Sequence, residues 1–166
     1  MQILHEFSNG RQLIVANLPN DHKGCMYQGT MRCAVVHATE YPCFAKHKTT
    51  NKNIVETGFE LYLNLFDDEN PNKDIQMFVR AIKFIDTHIQ DRHVLVHCQA
   101  AVSRSPSICL LYLAYKGVIT KTSYFDAKRE FCEIYSDSCG TFYFPSDGIC
   151  RFLNLAWDKI MEAVNG

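Results

Sequence analysis

Val94, Leu95 and Val96 form an unbroken aliphatic run, the pattern of a strand buried on both faces. Leu13 to Ala16 and Ala34 to His37 are short runs of the same kind, and Phe59 to Leu65 alternates apolar and aromatic positions along a further strand. Elsewhere the period lengthens to that of a helix. Ile75, Phe78, Val79, Ile82, Ile85 and Ile89 share one face behind Asp74, which is placed to cap the first turn. Ile108, Leu110, Leu111, Leu113 and Ala114 give an apolar body that starts after Ser105 and Pro106 and closes at Lys116 and Gly117, a favourable charge and a permissive cap. Thr122 to Tyr135 predicts a third helix with Tyr124, Ala127, Phe131 and Ile134 inward. Ser146 opens a fourth, with Ile149, Phe152, Leu153, Ala156, Ile160 and Val164 as its stripe. This order predicts a single α/β domain over residues 1–166, with a central, mostly parallel sheet of about five strands flanked by helices.

The strand run ends at His97 and Cys98, and the next helix begins after Arg104, so residues 98–104 form a strand-to-helix turn. In such a turn the N–H groups of Gln99, Ala100, Ala101, Val102, Ser103 and Arg104 can converge on one point, where the helix N-terminus adds its partial positive charge. That cradle suits a tetrahedral dianion. A sulfur at its rim is favoured as the thiolate, the form that attacks, by the same donors and by Arg104. Arg104 can grip two phosphoryl oxygens at once, and Ser105 can donate to the sulfur and make it a better leaving group. Of the eight cysteines, Cys98 is the one with an arginine six residues on, and its position between a strand and a helix weighs against a merely structural thiol. The ligand then belongs at the carboxyl end of the Val94 to Val96 strand.

His97, Cys98, Arg104 and Ser105 match the HCxxGxxR(S/T) signature of the cysteine-dependent protein tyrosine phosphatases, and HCQAAVSRSP resembles the dual-specificity branch most. FELYLNLFDD, residues 59–68, resembles the strand entering that family's acid loop, and YFPSDGI, residues 143–149, resembles the opening of its last helix. The likeness extends over residues 13–164 and implies a protein tyrosine phosphatase-like fold and a cysteinyl-phosphate intermediate. Ala101 departs from the signature, standing where the family has glycine. A glycine takes positive φ freely, so two readings stand: at a close-approach position the added methyl weakens phosphate binding or narrows the substrates, whereas at negative φ alanine is nearly free.

Transfer to sulfur requires an acid for the departing oxygen, expected from a carboxyl on a loop that closes over the substrate. Asp68 lies thirty residues before Cys98, close to the acid-to-cysteine spacing of the family the chain resembles. It is the first candidate, Asp67 the alternative and Glu69 a distant third; a plain acidic turn is the competing reading. His97 adjoins the nucleophile, but strand alternation points it away from the side of Cys98, so bracing is its expected part.

At 166 residues and 47% apolar, the chain can bury roughly 70% of its unfolded surface without disulfide staples. The cysteines include no CxxC pair and form no zinc spacing with the seven histidines, so neither metal nor cofactor is expected. A net charge of −1 argues against a general nucleic-acid or membrane-surface binder, and Lys46, His47, Lys48 and Lys52 read as a solvated loop. No run has bilayer-spanning length, MQILHEFSNGRQ lacks a signal-peptide core, and a thiolate enzyme needs a reducing compartment. A cytoplasmic protein is expected, with the nucleus open.

Lipid- and RNA-directed relatives in the family the chain resembles carry basic residues in this loop, whereas Gln99 to Ser103 are all neutral, so the resemblance favours a phosphorylated protein as partner. No segment matches the tyrosine-recognition loop of the larger tyrosine-specific members, which implies a shallow pocket that admits phosphotyrosine, phosphoserine and phosphothreonine. Two alternatives stand beside it: a phosphatase for a non-protein ester (a phosphoinositide, an RNA 5′ end or a phosphoglucan), and a phosphoprotein-binding pseudophosphatase disabled by Ala101. Cys43 and Cys109 are candidate disulfide partners for an oxidised Cys98.

Overall fold

The computed structural model describes residues 2–17, 33–40 and 52–166. Six strands form one sheet in the order β1-β2-β6-β3-β5-β4. At its centre β6 (His93–Cys98) lies parallel to both β2 (Gln12–Asn17) and β3 (Cys33–Ala38), and β5 (Glu60–Leu63) continues the parallel pairing beyond β3. Antiparallel strands close the two edges: β1 (Gln2–Glu6) on β2, and β4 (Ile54–Thr57) on β5. The sheet is therefore mostly parallel, with one strand at each edge that the apolar pattern does not mark. The stretch expected as one strand from Phe59 to Leu65 is the second arm of a hairpin, turned at Gly58 with φ +58°.

Leu13, Val15, Ala34, Val36, Val94 and Val96 point to the face that packs on the helices, while Ile14, Ala16, Val35 and Leu95 form a second buried cluster. The β2, β3 and β6 core is thus apolar on both faces, which is why its strands read as continuous rather than alternating runs. Four helices follow: α1 (Ile75–His88), α2 (Arg104–Tyr115), α3 (Tyr124–Cys139) and α4 (Asp147–Asn165). Asp74 caps α1 by accepting from Gln76 N at 2.9 Å, and Ser123 caps α3 by accepting from Asp126 N at 3.1 Å. Phe78, Phe131, Leu153, Ile160 and Tyr112 meet in the main core. No helix among the described residues is long and apolar enough to cross a membrane.

Candidate active site

The parallel register delivers the site. Ala16 pairs with His97 and Asn17 with Cys98, so β2 and β6 end together, and β3 runs on beside them to Thr39 and Glu40. Cys98 closes β6, residues 99–103 turn, and α2 starts at Arg104. The Cys98 sulfur is only 1% exposed and receives two donors, Ala101 N–H at 3.3 Å and Ser105 Oγ at 3.2 Å. Both donors point at the one sulfur, the arrangement that a thiolate, a stronger acceptor than a thiol, would use.

Ala101 holds φ +55°, the one non-glycine residue with positive φ among those described. The left-handed conformation costs an L-residue about 1–2 kcal/mol, and here it turns the amide toward the sulfur. Tyr135 of α3, fully buried, secures it by donating its hydroxyl to Ala101 O. Of the two readings of this position, the positive φ removes the one in which alanine is nearly free.

Arg104 is 2% exposed and its two outer nitrogens have different surroundings. Nη1 donates to Thr39 Oγ1 at 3.2 Å, to Leu65 O at 3.1 Å and to the Glu40 carboxylate. Nη2 donates to Gln99 Oε1 at 3.1 Å. Nε is buried with no hydrogen-bond acceptor among the described residues, and Asp67 Oδ2 stands 3.7 Å from it. One edge of the guanidinium is thus anchored by hydrogen bonds, while Nε is ion-paired with Asp67 without a hydrogen bond. Burial raises the Glu40 carboxyl, but its own backbone hydrogen bond, Arg104 and Thr39 together outweigh this and hold it below its ordinary value. Glu40 and Thr39 escaped the sequence reading because their contacts with Arg104 span 64 and 65 residues.

The two aspartates part company. Asp67 accepts from Ser103 Oγ at 2.6 Å and so touches the phosphate loop directly. Asp68, half-exposed, is ion-paired with Lys73, which also donates to Phe66 O at 3.0 Å. The hydrogen bond from Lys73 leads the forces holding the Asp68 carboxyl below its ordinary value, joined by Lys73's charge and the Asn70 amide. Glu69 is exposed. The start of α4 laces both loops: Phe144 N donates to Val102 O at 2.8 Å, Ser146 N to Ser103 Oγ at 3.0 Å and Gly148 N to Asp68 O at 3.2 Å. A Cβ on Gly148 would lie 2.3 Å from Asp68 O, so only glycine permits this approach.

Behind the loop, His97 Nε2 lies 2.6 Å from Nδ1 of His37 on β3, and His37 stacks on Tyr62 at 4.2 Å. Burial, reinforced by the neighbouring His37, pushes the His97 pKa down to about 3, so the ring is neutral at physiological pH. It braces β6 against β3. Of the two cysteines singled out for oxidation, Cys43 lies outside the described residues, and Cys109 is buried on α2 with its thiol pushed well up, by burial first and then by Cys139 and Cys98. Most of the basic cluster around Lys46 also lies outside the described residues. Among those described, no three potential ligands gather as a metal site.

Residues 32–135 match the family profile of the dual specificity phosphatase catalytic domain, and the chain belongs to that family. It is 38% identical over 78 residues to dual specificity protein phosphatase YVH1 of Plasmodium falciparum, and 49% identical over 51 residues to human dual specificity protein phosphatase 4. These stretches cover 45% and 30% of this chain but only 13% of either relative. In fold it resembles the Yvh1 phosphatase domain from Chaetomium thermophilum, with a TM-score of 0.57 at 21% identity, over 80% of this chain and 82% of that one.

Proposed function

We propose that the protein hydrolyses phosphomonoesters, taking phosphate from phosphotyrosine and from phosphoserine or phosphothreonine in proteins through a phosphocysteine. The observation that carries this reading is the pairing of a sulfur held by Ala101 N–H and Ser105 Oγ with a guanidinium whose Nε lacks a hydrogen-bond acceptor among the described residues. The phosphoryl group seats on the amides of Gln99 to Arg104 and takes the guanidinium donors, displacing the Gln99 oxygen from Nη2. Cys98 thiolate attacks phosphorus in line. As the S–P bond forms, the P–O bond to the leaving group breaks and that oxygen takes a proton from Asp68. Water then gives a proton to the Asp68 carboxylate and attacks phosphorus, the S–P bond breaks with the electrons returning to sulfur, and phosphate leaves. Ser105 stabilises the departing sulfur.

For Asp68 to donate, its contact with Lys73 must open, which its half-exposed place on the acid loop permits. Asp67 is the alternative donor, favoured by its contact with Ser103. No cofactor takes part in this scheme, and the thiolate places the protein in a reducing, intracellular setting. Turnover of p-nitrophenyl phosphate and of phosphopeptides by wild type, Cys98→Ser, Asp68→Asn and Asp67→Asn tests the reading. Loss of turnover in Cys98→Ser and a roughly hundredfold fall in Asp68→Asn, steepest with poor leaving groups, are expected. Phosphopeptide binding by a wild type that does not turn over would replace the enzyme with a binding module. A fall confined to Asp67→Asn would move the acid by one residue.

A further inference from the structure

Phe142 and Phe144 are each 79% exposed, on either side of a buried Tyr143. Tyr143 fixes that alternation, its hydroxyl 2.9 Å from Ser107 Oγ and 3.2 Å from Tyr124 Oη, and its ring edge-on to Phe131 with centroids 5.2 Å apart. Phe144 is held at the phosphate loop by its own main chain, bonded to Val102 O. On the acid loop Phe66, 46% exposed, directly precedes Asp67, which is bonded to Ser103. Each of the two segments tied to the phosphate loop therefore carries an exposed phenylalanine beside it. Large apolar side chains left in water next to a polar site are a recognition surface in search of apolar area.

The site itself names the occupant. Both segments bond directly to the loop, at Val102 and Ser103, so residues flanking a phosphorylated side chain seated on Arg104 meet these segments first. Exposed carboxylates of Asp68, Glu69 and Asp147 stand in the same two segments and oppose an acid-rich peptide or an anionic bilayer. We infer that Phe144, with Phe66, selects phosphoprotein segments bearing an aromatic or large aliphatic residue beside the phosphorylated one, a specificity that rests on the phosphoprotein reading above.

Two phosphotyrosine peptides identical except for leucine or serine at the positions flanking the phosphotyrosine test this. Their kcat/KM with wild type and Phe144→Ser, and their Kd for Cys98→Ser, are compared. The leucine peptide should lead by about tenfold in both measures, and the lead in kcat/KM should shrink below about twofold in Phe144→Ser. Equal kcat/KM for the two peptides overturns the specificity and leaves the phosphatase standing. A Kd preference without turnover upholds the aromatic contact and removes the enzyme. Sedimentation with neutral phosphatidylcholine vesicles that depends on Phe144, with no preference between the peptides, overturns the inference in favour of a lipid contact.

Discussion

The phosphate loop and the acid loop are unlike in construction. The first is buried: the Cys98 sulfur takes two donors, Arg104 is anchored by Thr39, Glu40 and Leu65, and the strained carbonyl of Ala101 is pinned by Tyr135. The second is exposed from Phe66 to Asn70 and held by Lys73, by Ser103 and by the Gly148 amide. Binding a dianion requires donors fixed before the substrate arrives, whereas delivering a proton requires a carboxyl that can come and go. The contrast in burial is the one that the proposed mechanism asks of its two loops.

The strongest way to break the comparison is Gly148→Ala. Its methyl must displace Asp68 O or α4 itself, so kcat with an alkyl phosphate should fall about a hundredfold, the order of a lost general acid. Inhibition by inorganic phosphate reports the other loop and should weaken far less; an equal loss in both would mean that the two loops are one unit. A smaller effect is expected from Glu40→Ala, which removes the charged one of the three acceptors of Arg104 Nη1 and should lower kcat/KM about tenfold, the order of a charged hydrogen bond. Glu40→Gln, which keeps an acceptor, should recover most of that; failure to recover would show that charge rather than placement is what Glu40 supplies. The smallest change is Ala101→Gly. Relief of the positive φ, partly offset by a more flexible unfolded chain, should raise stability by about 0.5–1 kcal/mol in urea denaturation. A loss of stability there would show that the methyl packs usefully.

The sequence reveals the phosphate loop far more fully than its surroundings, for a physical reason. Cys98, Ala101, Arg104 and Ser105 act within one turn, so their spacing carries their geometry. Helices are equally local: the caps at Asp74 and Ser146 and the apolar stripes place α1 and α4 almost to the residue. Contacts made by chain reversal leave no such trace. Glu40 reaches Arg104 and His37 reaches His97 across 64 and 60 residues, and nothing in the intervening sequence encodes either meeting. The edge strands are hidden differently. β1 and β4 are short and largely exposed, so Gln2 to Glu6 and Ile54 to Thr57 lack the apolar run that announces β6. Asp67 and Asp68 differ by a single residue in their spacing to Cys98, yet the fold gives them different partners, Ser103 and Lys73.

The opening of α4 holds both loops through main-chain amides, those of Phe144, Ser146 and Gly148. The bond from Phe144 places no demand on that residue's side chain, whereas the approach at Gly148 admits none. The exposed side chains flanking buried Tyr143 can therefore be exchanged while the main-chain bonds that hold the two loops stay in place, so the substrate preference inferred above could change independently of the proposed chemistry. An engineer wishing to retarget this domain would begin at Phe142 and Phe144 and leave the glycine four residues after Phe144 alone.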